Sequence, residues 1–197
     1  MSSTPSIPLE AVAGIATSQS HKILLSLHNI LTKALPHPDS STFTTSRIHP
    51  EMHPLSFQVQ ILHKFAKALI TPTQPGANKW AGVHEVPPTQ DLPELIELIE
   101  GIKKEVENVS QKEIITTVEG PHFVKSGEDR PSFTFTSEGF VLDFVLPNMY
   151  FHLNTAYAIL RNKGVDVGKW DYLAPFSGPY LDKAFTPDTT GANYEYK

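Results

Sequence analysis

Apolar residues recur at helical spacing along four stretches of this chain, and between the third and fourth the pattern changes to alternation. From Leu9 to Leu35 the apolar positions Leu9, Val12, Ala13, Ala16, Ile23, Leu24, Leu27, Ile30 and Leu31 follow the i, i+3, i+4 rule of a core-facing stripe. Ser3 or Ser6 is placed to cap this first helix, and Pro36 ends it. His21 and His28 are seven apart and are expected on its solvated edge. A second helix is predicted from Met52–Leu55 to Ile70, with Pro54 in a first turn where its missing N–H costs nothing. Leu55, Val59, Leu62, Ala66 and Leu69 form its stripe, and Gln58 lies beside that stripe. The third helix takes Thr89 or Asp91 as its cap, carries Pro93 in its first turn and turns Leu95, Ile96, Leu98, Ile99, Ile102 and Val106 inward. Glu94, Glu97, Glu100, Lys103, Lys104 and Glu107 make its wet face, which solvation alone explains.

From Lys112 the β-branched and aromatic residues alternate, so two short antiparallel strands are predicted, about 114–118 and 132–136, with Glu128, Asp129 and Arg130 between them. The fourth helix, about Val141 to Asn162, is apolar on nearly every side and should be buried. Lys163-Gly164 stops it. Pro147 opposes the carbonyl of Asp143 and should kink it. The segment 165–173, VDVGKWDYL, reads as a compact turn, and residues from 174 onward read as an irregular tail over the surface. Trp80, in the turn-rich stretch after the second helix, is expected as a lid over one end. The predicted fold is mainly α, an antiparallel four-helix bundle with a small two-stranded hairpin between helices three and four. Residues 1–173 would form one domain and 174–197 its tail.

Composition narrows the function classes. The 197 residues include no cysteine, which removes disulfides, thiolate metal sites and thiol nucleophiles together. No basic start followed by an apolar run opens the chain, so a cytoplasmic protein is expected. A net charge of −5 without Lys/Arg clusters argues against nucleic acid, and the apolar runs are too short to span a membrane.

Candidate chemistry lies in the fourth helix. It places Asp143, Asn148, His152, Asn154, Thr155 and Tyr157 within a buried segment, and Asn148 and His152 share a face. A buried His152 would have its pKa shifted by desolvation and could move a proton on a bound molecule. Asn148, Tyr157 and Asp143 complete the catalytic candidates, with Tyr157 or Arg161 steadying an oxyanion. His53, Gln58, Phe144, Phe151 and Arg161 are the substrate-binding candidates. The expected reaction is a cofactor-free proton transfer of isomerase, cyclase or dehydratase type on an apolar, oxygenated small molecule. The alternatives are a binding module without catalysis, and a homodimer built on helix four whose interior polar groups fix register.

Two runs, RIHPEMHPLSFQVQI at 47–61 and LPNMYFHLNTAYAILRNKGVDVGKWDYL at 146–173, resemble a family of fungal and bacterial proteins of unknown function placed with the DinB/YfiT-like four-helix bundles. The resemblance covers about residues 10–173. It implies the same bundle, and analogy with fungal relatives suggests a place in secondary metabolism. Many DinB-like bundles hold a divalent metal with three histidines, one from helix two and an H-x3-H pair from the last helix. Here the first position of that pair is Asn148, a poorer ligand than imidazole, and only His152 remains. His49 or His53 could supply a helix-two ligand, and a His152, His53, Asp143 set could take zinc or iron as a minority alternative. No metal is assigned.

Overall fold

The computed structural model describes residues 7–72, 77–78, 90–125 and 131–180. Helix α1 spans Leu9–Ala34, α2 Leu55–Ile70 and α3 Leu92–Asn108, close to the boundaries that periodicity sets. A 3-10 turn, Ser40–Thr45, interrupts the loop between α1 and α2 and buries Phe43. Asp91 caps α3 by accepting from the Glu94 backbone N–H, while the Glu94 carboxylate accepts from the Asp91 N–H. This reciprocal box satisfies two donors that the first turn would otherwise leave bare. The proposed caps Ser3, Ser6 and Thr89, the Trp80 lid and the 128–130 loop lie outside the described residues.

The predicted strand at 114–118 is instead a helix, α4, Gln111–Val118. Ser110 and Glu113 form a second capping box, and Ile114, Thr117 and Val118 are buried at i, i+3, i+4. The capping box and the burial of one face together outweigh the β-branched composition. The hairpin lies further on, with β1 at His122–Lys125 and β2 at Ser132–Phe135, antiparallel with His122 opposite Phe135. A single helical turn, α5, Ser137–Gly139, leads into a π-helical turn, Phe140–Val145, and then α6, Leu146–Asn162.

The expected kink at Pro147 takes the form of that wide turn. Pro147 has no N–H for the Asp143 carbonyl, and the backbone N–H of Leu146 bonds Val141 O, five residues back. Helix α6 ends where Lys163-Gly164 predicts. Gly164 has φ +87°, its N–H bonds Arg161 O, and the Val165 N–H bonds Leu160 O. That pair of bonds is the Schellman closure, with Val165 and Leu160 both buried. The predicted turn and the start of the predicted tail are corrected by α7, Lys169–Ser177, followed by a 3-10 turn through Tyr180. Asp171 accepts from the Gly168 N–H and binds Lys33 of α1, which docks α7 on the bundle.

Side-chain pairs fix helix directions. His21–Glu107 and His28–Glu100 make α1 and α3 antiparallel. Gln58–His152 and Phe65–Phe144 do the same for α2 and α6. Gln19–Tyr150 and the Glu138–Ile7 bond show α1 and α6 running the same way. Gln60–Gln90 and Lys67–Glu105 show α2 and α3 sharing the opposite direction. This is an up-down-down-up bundle, with its core between α1, α2, α3 and α6 built from residues such as Leu27, Leu62, Ile99 and Leu153.

Candidate functional site

Helix α6 points His152 at α2, and the contact made there is directional. The His152 ring is 9% exposed. Its Nδ1 lies 2.8 Å from Gln58 Oε1, and the other end of that amide, Nε2, donates to the backbone carbonyl of His53 at 2.9 Å. A backbone carbonyl can only accept, so the Gln58 amide must turn its NH2 toward it. Gln58 Oε1 is then an acceptor, and His152 Nδ1 carries the hydrogen. Burial, with a smaller contribution from the nearby His53 charge, lowers the His152 pKa from 6.5 to about 4. At neutral pH the ring is therefore uncharged, and Nε2 is a lone pair. Among the described residues nothing donates to that lone pair.

Aromatic rings surround the imidazole. The centroids of Phe65, Phe57 and Phe151 lie 5.9, 6.3 and 5.4 Å from that of His152. His53, itself exposed, stacks on Phe57 at 3.8 Å. Phe151 is 54% exposed, unusual for a large apolar side chain set beside a buried polar ring.

The structure thus brings together four of the residues singled out from sequence: His152, Gln58, His53 and Phe151. The others sit apart. Phe144 is one ring removed, packed on Phe65, Phe135 and Phe140. Asn148 shares the helix side predicted for it, but its amide donates back to Phe144 O at 2.6 Å. Asp143 is exposed. Tyr157 faces away from the site and packs edge-on against Tyr172 of α7, 6.0 Å between centroids. Arg161 is exposed near the end of α6, where it reaches Val165 O and Asp166. The catalytic set expected from sequence does not gather around His152, because five residues along an α-helix turn Tyr157 well away from the His152 face. Phe57 and Phe65 were not predicted as site residues. Phe65 lies seven residues after Gln58, so its place on the same face of α2 was readable.

The three-histidine arrangement that the resemblance implies does not assemble from these residues. Asn148 is committed to a backbone carbonyl, Asp143 points outward, and among the described residues no group of three or more His, Asp or Glu side chains converges. His21 and His28, expected on the solvated edge of α1, are partly exposed and pair there with Glu107 and Glu100 of α3. No helix among the described residues is long and apolar enough to cross a membrane.

No curated protein matches the chain. Among solved structures, it is similar to a DinB family member from Shewanella denitrificans, at 27% identity and a TM-score of 0.62, over 84% of this chain and 93% of that one. That neighbour supports a mainly helical, DinB-like fold for the bundle described above. The family model described as Domain of unknown function (DUF1993) matches residues 14–173, from the second turn of α1 into α7. With most of its length so matched, the chain belongs to this family of DinB-like bundles.

Proposed function

We propose that the His152 site binds a small, largely apolar, oxygenated molecule and moves a proton on it. The observation that carries this reading is the neutral imidazole held by Gln58, with its Nε2 lone pair unclaimed among the described residues and set between buried Phe65 and half-exposed Phe151. A polarised O–H or an acidic C–H of the substrate would lie against Nε2 while the rings of Phe57, Phe65 and Phe151 exclude water. Proton transfer to Nε2 gives an imidazolium whose Nδ1–H bond to Gln58 becomes charge-assisted and shorter. The depressed pKa makes that imidazolium eager to return the proton, to the same atom or another one. Returned elsewhere, the proton completes an isomerisation with no change in oxidation state. The same low pKa limits His152 as a base in the resting state, since general bases work best near the ambient pH. A binding site without turnover is therefore the second reading.

Deuterium uptake separates the two. Cyclic 1,3-diketones and β,γ-unsaturated ketones are incubated with the protein in D2O, and mass spectrometry follows incorporation. Wild type is expected to catalyse exchange for at least one ring size, with the rate reduced at least 100-fold in His152→Gln. A folded His152→Gln variant that exchanges as fast as wild type removes His152 from the chemistry.

A further inference from the structure

We infer that the ligand of the His152 site is a neutral aromatic ring carrying a hydroxyl, a phenol or its enolic equivalent, whose O–H donates to His152 Nε2. The inference rests on the reading of this site as a small-molecule site and narrows it to one chemical class.

Hydrogen-bond direction supplies the first part. The His53 carbonyl accepts from Gln58 Nε2, Gln58 Oε1 accepts from His152 Nδ1, and the polarity of the whole relay is fixed at its carbonyl end. Nε2 is left as an acceptor. A carbonyl, ether or carboxylate placed there would set one lone pair against another, so the ligand's polar atom must bring a proton. A ligand that covers Nε2 without donating to it leaves that nitrogen buried and unpartnered, which is costly and turns this direction into discrimination between close analogues.

Charge supplies the second part. Among the described residues the charged group that bears on His152 is the exposed His53, and no lysine or arginine among them contributes. Arg161 is engaged with Asp166 at the far end of α6. An anion would lose its hydration beside the rings with only the solvent-screened His53 side chain to offset the cost, and a cation would be repelled by that same side chain, so the donor must be neutral.

Ring geometry supplies the third. The Phe151 and Phe65 rings stand near-perpendicular and tilted, at 86° and 33° to the imidazole, and Phe151 is half-exposed. Such faces and edges favour a flat partner in offset or edge-on contact. A phenolic O–H is also a stronger donor than an aliphatic one, which suits an acceptor made weakly basic by burial.

The test uses the full-length chain with 15N-labelled histidine. Long-range 1H–15N spectra read His152 Nε2 as the unprotonated nitrogen, and loss of its signals in His152→Gln assigns it. The probes are 2-naphthol, 2-methoxynaphthalene, 2-naphthoate and zinc chloride. The inference expects 2-naphthol to move the Nε2 resonance and to bind at least ten-fold more tightly than the ether or the carboxylate. Equal binding by 2-methoxynaphthalene at Nε2 overturns the phenol class while leaving a small-molecule site in place. If neither naphthol, ether nor carboxylate moves Nε2, the inference and the reading beneath it both fall. Zinc that moves Nε2 and outcompetes 2-naphthol overturns the inference in favour of a metal at the same lone pair.

Discussion

One amide decides which nitrogen of His152 is free. Replacing Gln58 by Leu leaves the His152 N–H without an acceptor in a buried setting, a change that costs about 1–3 kcal/mol in stability. The variant should also lose the fixed tautomer, which 1H–15N spectra would show as two histidine forms in place of one. Proton linkage gives a second test at this scale. Because burial holds the folded-state pKa near 4 while the unfolded value is 6.5, the unfolded chain binds more protons between these pH values. Stability is therefore full above about pH 6.5 and falls as the pH drops toward 4. The loss from this residue between pH 7 and pH 5 comes to about 2 kcal/mol. His63, also lowered chiefly by burial, adds to the loss in the same direction. In His152→Gln, whose amide can still donate to Gln58, urea melts at the two pH values should show about 2 kcal/mol less pH dependence than wild type.

Among the elements, α4 shows why some of the fold was legible and some misread. Ser110 and Glu113 spell a capping box, and Ile114 and Val118 are one turn apart, yet the β-branched run Ile114-Ile115-Thr116-Thr117-Val118 suggests a strand. A cap is worth about 1 kcal/mol, and with the burial of Ile114 and Val118, about 1.5–3 kcal/mol each, it outweighs a helix-propensity cost of up to about 0.7 kcal/mol for each β-branched residue. Ser110→Ala should therefore lower stability by about 1 kcal/mol and raise amide exchange across 111–118 above that of α3. Gly164 was read correctly for a simple reason: only a residue at ease with positive φ closes α6 in this way. Gly164→Ala should cost about 1 kcal/mol, seen as a lower urea midpoint with the slope unchanged. The candidate site was legible to the extent that its members lie on helices, as Gln58 and His152 do. Tyr157 and Asp143 do not gather at His152 because residence in an apolar helix does not say which neighbour each face meets. The direction of the Gln58 amide depends on the His53 carbonyl, a backbone group with no signature in the sequence.

At the level of the whole molecule, periodicity gives helices but not their directions. Pairs such as Lys67–Glu105 and His28–Glu100 are what reveal α2 and α3 running together, opposite to α1. The absence of native cysteine makes this directly measurable with paired spin labels. Labels at 67 and 105 should lie close together, whereas position 94 is offset along α3 by roughly 16 Å, the rise of eleven helical residues, which across helices about 10 Å apart lengthens the 67–94 distance by roughly 9 Å. The reverse order of distances would require α2 and α3 to be antiparallel.

The wide turn at Phe140–Val145 bears on how this fold tolerates change. A π-turn holds one residue more than the regular spiral needs, so the surplus is absorbed locally and the register of α6 downstream is spared. Deleting Leu142 should let the segment tighten into ordinary α-helix with the hairpin held in place on the bundle and His152 still meeting Gln58. The hairpin's orientation and the imidazole's are thereby mechanically separable, joined through a coupling that can lose a link without transmitting the twist.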